Sequence, residues 1–324
     1  MDLARQSHVN EPGSRRVRRG SRPEPRSSSA VTSLRLDTAI PFILPAIVDS
    51  SEYLTSLFSV EGKVAVVTGG TGVLGGAIAH GLARAGATVA VLGRRAERAA
   101  EVVASIAASG GTGVAAPADV LDVASLERVN EDLLDRFGHI DVLVNAAGGN
   151  TPAATVTEPG SFFELPPPAI RDVLDLNLMG TILPSQVFGA TLARQGSGVI
   201  LNVSSMAARR ALSRVVAYSA AKSAVENVTR WLAVELARRY GEGLRVNAIA
   251  PGFFLGEQNR ALLVQPDGTP TARGRAILDR TPAGRFGRPD DLVSTVVWLC
   301  SPGAAFVTGT VVPVDGGFDA FSGV

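Results

Sequence analysis

Lys63-Val64-Ala65-Val66-Val67-Thr68-Gly69-Gly70-Thr71-Gly72-Val73-Leu74-Gly75-Gly76 is the stretch whose reading decides the fold. A short apolar run reaches Thr68, a glycine cluster follows, and small apolar residues at helical spacing continue over 75–85. A strand that is apolar at every position is buried on both faces, which is the situation of a parallel sheet. A glycine-rich turn between strand and helix exposes backbone N–H groups at the helix N-terminus, a cradle for a pyrophosphate. A lone glycine cluster also serves ordinary flexible turns. Its weight comes from opening a long alternation of strands and helices.

That alternation runs to the end of the chain. Strands are expected at 63–68, 88–92, 113–118, 141–145, 198–203, 244–250 and 311–314. Helices are expected at 75–85, 97–108, 125–137, 170–193, 216–240 and 290–300. The predicted fold class is α/β: a single-domain Rossmann fold, a doubly wound parallel sheet of about seven strands with helices on both faces. The segments 148–168 and 253–289 break the rhythm and read as loops, the second as a polar, Arg-rich substrate loop.

The chain has 324 residues, 46% hydrophobic and 19% charged, ample for a core without staples. Its one cysteine, Cys300, excludes an internal disulfide, and His8, His80 and His139 are scattered, so no metal site is expected. Residues 1–36 carry eight Arg against Asp2, Glu11 and Glu24, about +5 of an overall +1. The remainder is slightly acidic, so no nucleic-acid partner is expected. No apolar run approaches the ~20 residues of a membrane helix. Residues 1–55 are expected to be a disordered or weakly ordered Arg/Ser/Pro-rich extension, and 56–324 the folded domain. A dispensable tail, a targeting segment and an anion-binding tail are the three readings of that extension. A cytoplasmic location is expected.

The cofactor expectations start from the turn: Gly69, Thr71, Gly72, Val73, Leu74 and Gly75. The second strand ends at Gly93-Arg94-Arg95, where an acidic residue would take the ribose 2′-OH of NAD. Two guanidinium groups suit a 2′-phosphate instead, so NADP is expected over NAD. A solvated basic turn is the competing reading. Asp119 and Val120 follow the third strand, beside an adenine edge. Asn145, Ala146, Ala147 and Gly148 follow the fourth, with small side chains that let a nucleotide approach the backbone.

Tyr218 and Lys222 stand four residues apart in a predicted helix, so they share a face. An ammonium beside a phenol lowers the phenol pKa and makes a usable proton donor and acceptor. Chance also supplies such pairs, as a Tyr under a surface Lys stem.

Taken in order, the Gly-rich turn, Asp119, Asn145 to Gly148, Asn177, Ser204-Ser205, Tyr218 with Lys222, and Pro251-Gly252 resemble the short-chain dehydrogenase/reductase family, from about Val60 to the last residue. The resemblance implies hydride transfer between a nicotinamide and a carbonyl or alcohol carbon. It implies Tyr218 as general acid/base, Lys222 as tuner of its pKa and ligand of the nicotinamide ribose, and Ser205 as ligand of the substrate oxygen. Asn177 would hold a water in the proton relay, Pro251 and Gly252 would lie on the cofactor, and the assembly would be a homotetramer. Two positions depart from the family pattern: Val73 where a Gly is usual, and Gly256 where a Thr is usual.

Further stretches, among them 148–152, 247–254, 281–287 and 313–318, resemble the D-mannonate oxidoreductase (fructuronate reductase) branch, which acts on sugar acids. A polyol carboxylate calls for an Arg or amide clamp. Asn150, Arg210, Gln258 and Asn259 are the candidates for substrate contact. Arg260, Arg273, Arg275 and Arg280 read as a solvated helix face. A reductase of another carbonyl, such as a 3-oxoacyl thioester or a different polyol, is the alternative. A catalytically idle nucleotide-binding protein is a further one, and it predicts loss of Tyr218, Lys222 or Ser205; all three are present.

Overall fold

Strand β1 (Val64–Thr68) is buried at every residue, and its side chains alternate between two cores. Ala65 and Val67 enter one apolar cluster, Val64 and Val66 the other. That is how a short apolar run without alternation becomes the middle of a two-faced sheet. The computed structural model describes residues 49–323, without the side chains of Glu257 and Gln258.

Ahead of β1 stands helix α1 (Ser50–Phe58). After it come α2 (Val73–Arg84), β2 (Thr88–Gly93), α3 (Ala96–Ala108), β3 (Thr112–Pro117), α4 (Val123–Phe137) and β4 (Val142–Asn145). Then follow α5 (Pro167–Leu174), α6 (Gly180–Gln195), β5 (Gly198–Val203), α7 (Val216–Tyr240) and β6 (Leu244–Pro251). The chain closes with α8 (Glu257–Leu263), α9 (Ala272–Leu278), α10 (Val293–Cys300) and β7 (Val311–Val314).

All seven strands are parallel, in the order β3-β2-β1-β4-β5-β6-β7. The order reverses between β1 and β4, so a crevice opens at the carboxyl ends of those strands. Helices α2, α3 and α10 pack on one face, and α4, α6 and α7 on the other. The parallel Rossmann sheet expected from the sequence is therefore the observed one.

Residues 50–55, expected within the extension, lie in α1, which has no buried residue, and residues 1–48 lie outside the described residues. Three expectations are corrected. The helix expected over 170–193 is two helices joined by a π turn, Asp175–Met179. The expected loop 253–289 contains α8 and α9, each only seven residues long and too polar to show a periodicity. Segment 148–168 holds two single 3-10 turns, Pro152–Ala154 and Phe162–Glu164.

Candidate active site

The glycine turn works by close approach. Gly69 has φ +64°, and a Cβ there would stand 2.7 Å from the Ala147 backbone. A Cβ on Gly75 would strike the Gly69 carbonyl. The turn is thereby pressed against the β4 loop, while Thr68 Oγ1 accepts the N–H groups of Ala146 and Ala147 at 3.1 Å. The two departures from the family pattern are neighbours. A Cβ on Gly256 would lie 3.2 Å from Val73 Cγ2, so the small residue leaves room for the larger one.

A cleft of about 590 Å³ runs along the carboxyl ends of the strands. At its floor are Gly69, Thr71, Gly72, Val73, Leu74 and Gly75, then Gly93, Arg94 and Arg95 at the end of β2. Asp119 and Val120, then Ala146, Ala147 and Gly148, and Pro251 with Gly252 complete the expected cofactor lining. Asn145 lies beneath it, buried: its Nδ2 donates to Ser185 Oγ at 3.0 Å and Asn202 Oδ1 at 2.9 Å. Its part is to tie β4 to β5 and α6. Backbone amides at a helix start, small residues on the floor and arginines beyond β2 fit a dinucleotide.

Ser205, Tyr218 and Lys222 line the same cleft. Ser205 caps the 3-10 turn Met206–Ala208, its Oγ accepting the Ala207 N–H at 3.1 Å. Tyr218 and Lys222 share a face of α7, with Lys222 Nζ 5.6 Å from the phenol ring centroid. Nζ donates to the Val203 carbonyl at 2.7 Å, which anchors it to the end of β5. Burial lowers the Lys222 ammonium to about 8. Tyr218 behaves otherwise than expected. Burial raises its phenol, and a hydrogen bond with Ser205 offsets part of that rise. The phenol is therefore a neutral proton donor at ordinary pH, not a phenolate held by Lys222.

Asn177 lies beneath the cleft. It is fully buried within the π turn, Nδ2 donating to the Gly149 and Val173 carbonyls at 2.7 and 2.8 Å, Oδ1 accepting the Gly149 N–H at 3.0 Å. These bonds fix the backbone that carries Gly148, where a Cβ would stand 2.6 Å from Asn177 Oδ1 and 3.1 Å from Lys222 Nζ. The side chain holds the loop under Lys222.

The substrate candidates divide. Asn150 lines the cleft; its Nδ2 donates to Thr155 Oγ1 at 2.7 Å, and its buried Oδ1 has no protein partner. Asn259 lines it too, but is committed to its own loop, accepting from Gly256 N at 2.9 Å and donating to Phe254 O at 2.8 Å. The side chain of Gln258 lies outside the described residues. Arg210 is a correction: its Nε pairs with Asp319 at 2.8 Å and it does not reach the cleft. The 3-10 turn after Ser205 turns it toward the C-terminal segment.

Sequence reasoning missed two things. Arg273, on α9, lines the cleft instead of standing on a solvated face. An ionic cluster around the buried Glu226 also lies behind Ser205. Ser204 Oγ donates to Glu226 Oε1 at 3.2 Å, and Arg209 bridges Glu226 and Asp319, each at 3.2 Å. Arg230 takes the other Glu226 oxygen at 3.0 Å. The i,i+4 ladder Tyr218, Lys222, Glu226, Arg230 along α7 was the available signal.

A Rossmann sheet with a Ser–Tyr–Lys constellation at its cleft defines a class of nicotinamide-dependent oxidoreductases. Residues 71–319 match the family profile described as enoyl-(acyl carrier protein) reductase, and the chain belongs to the short-chain dehydrogenase/reductase family. The uncharacterised oxidoreductase UxuB of Bacillus subtilis is 50% identical over 275 residues, 82% of this chain and 98% of the relative. The 2-dehydro-3-deoxy-D-gluconate 5-dehydrogenase of Escherichia coli is 35% identical over 266 residues, 82% of this chain and 98% of the relative. Among solved structures, a Haemophilus influenza protein provisionally described as a D-mannonate oxidoreductase, with NAD bound, superposes with TM-score 0.77 at 41% identity, over 84% of this chain and all of the other. A gluconate 5-dehydrogenase from Burkholderia cenocepacia, in complex with NADP and tartrate, superposes with TM-score 0.73 at 30% identity, over 82% and 99%. Among the described residues no helix is long and apolar enough to cross a membrane, and no cluster of metal-ligating side chains occurs.

Proposed function

We propose that this oxidoreductase interconverts a keto sugar acid and its alcohol, of the fructuronate/mannonate kind, with NADP(H) preferred over NAD(H). The observation that carries the chemistry is that Ser205, Tyr218 and Lys222 line the nucleotide cleft together. Ser205 orients the substrate oxygen. The neutral Tyr218 phenol gives its proton to that oxygen in reduction and takes it back in oxidation. Lys222, anchored on Val203, supports the phenolate left after that transfer and faces the nucleotide floor. The nicotinamide, when bound, supplies or accepts the hydride.

Two features support a sugar acid. The unpartnered Asn150 Oδ1 offers a buried acceptor to a substrate hydroxyl. Relatives named for gluconate-type acids match nearly their whole length. A 3-oxoacyl thioester is the second reading, favoured by the profile description and by a 3-oxoacyl-[acyl-carrier-protein] reductase of Synechocystis at 35% identity. A substrate panel of sugar acids and 3-oxoacyl thioesters decides between them by kcat/KM.

The NADP preference rests on Arg94 and Arg95. Among the described residues neither forms an ion pair, and a Cβ on Gly93 would stand 2.9 Å from the Thr71 side chain, leaving little room for an acidic residue. Replacing both arginines by Ala lowers the NADP/NAD ratio of kcat/KM by about tenfold or more; an unchanged ratio removes the argument. A homotetramer in the cytoplasm is the family expectation. Trp231 and Val234, both exposed on α7, offer apolar surface for association, which light scattering tests.

A further inference from the structure

The arginines of this chain that sit near carboxylates are mostly neutralised by them. Arg98, Arg136, Arg209, Arg210, Arg230, Arg239 and Arg285 each have an acidic partner within 4 Å. Arg273 is different. It lines the cleft in company with Asn150, Ser205 and Tyr218, and among the described residues it has no acidic partner. Its Nη1 donates to a neutral group, Ser213 Oγ, at 3.3 Å.

A second cation, Arg214, follows Ser213 in the chain. Arg214 is the one non-glycine residue with positive φ among the described residues, at 81°. It is held there by Val156, whose N–H donates to the Arg214 carbonyl at 2.9 Å and whose carbonyl accepts from Arg214 Nε at 2.9 Å. Strained backbone of this sort costs stability and gathers at ligand sites. Burial, and then the charge of Arg214, lower the pKa of Arg273. A half-buried guanidinium with no acidic partner among the described residues leaves an electrostatic need that a bound anion would meet.

We propose that Arg273, backed by Arg214, is the clamp for the carboxylate of the substrate, resting on the sugar-acid reading above. The planar fork of Arg273 donates to both carboxylate oxygens, while Ser205 and Tyr218 hold the reacting oxygen. Arg273 sits on α9, so the segment expected as a substrate loop supplies the specificity through a helix. The clamp makes the enzyme select acids over the matching neutral sugars.

The test is steady-state oxidation of D-mannonate, with malonate as a non-reacting competitor, for the wild type, Arg273→Ala and Arg273→Lys. The expected result for Arg273→Ala is a rise of about ten- to a hundredfold in KM for D-mannonate, the loss of one charge-assisted contact, with a similar rise in the malonate inhibition constant. Arg273→Lys recovers part of both. The KM for the nucleotide stays near wild type, which a merely structural role for α9 would not allow. Unchanged KM and unchanged malonate inhibition overturn the clamp, as does a fall in kcat alone. Wild-type enzyme that oxidises no sugar acid overturns the functional reading instead; malonate inhibition of its turnover on another carbonyl, lost or kept in Arg273→Ala, then decides the clamp by itself.

Discussion

Lys222 carries a charge in a place that disfavours charge. Burial brings its pKa from the ordinary 10.5 to about 8, so between those values the unfolded chain binds the extra proton. Stability from this group therefore rises as pH increases across that window, and below about 8 the cost of the buried ammonium is present in full. Urea midpoints measured on both sides of the window should rise less with pH in Lys222→Met than in the wild type; parallel curves would mean the ammonium is not desolvated. For Tyr218 the raised phenol keeps the acid form at neutral pH, which suits reduction. At this scale the sequence was informative about identity but not about state. The Tyr218–Lys222 pair was read from its spacing and Ser205 from the family resemblance, and the three line one cleft. The direction of the phenol shift was not, because enclosure by residues remote in sequence, such as Ala154 and Val173, outweighs the neighbour four positions away. Arg210 was misread for a related reason: proximity in sequence to Ser205 said nothing of Asp319, which comes from the other end of the chain.

At the scale of elements, the ionic cluster of Glu226, Arg209 and Asp319 ties three pieces together: α7 one turn beyond Lys222, the turn after Ser205, and the segment after β7. Arg209 also donates to the Val311 carbonyl at 3.2 Å. Glu226 is buried, so losing one of its two cations leaves a poorly compensated carboxylate. Arg209→Ala should destabilise the fold by about 1–3 kcal/mol in urea unfolding, with Arg209→Lys recovering part of it. A midpoint equal to wild type would reduce the cluster to a surface decoration. Helices α8 and α9 mark what could not be read. Each has seven residues, fewer than the length over which a 3.6-residue repeat is distinguishable from a polar loop. The strands, in contrast, were legible nearly to the residue, because the central parallel strands are short, mostly apolar runs buried on both faces.

For the whole molecule, the sheet order gathers the candidate site residues at the carboxyl ends of the strands. The crossover between β1 and β4 opens the crevice, β5 and α7 bring Ser205, Tyr218 and Lys222, and β6 leads into α8 and α9, which also line it. All residues lining the cleft fall between 69 and 273. A chain beginning at Asp49, which keeps α1, should retain kcat/KM within about twofold of the full chain; a larger loss would give residues 1–48 a part in catalysis. The central claim joins this architecture to one proton. Reduction of D-fructuronate by NADPH, followed by the loss of nicotinamide absorbance, should proceed in the wild type and fall at least about a hundredfold in Tyr218→Phe, while nucleotide binding is kept. Turnover in Tyr218→Phe within about tenfold of wild type would contradict the assignment of Tyr218 as the acid.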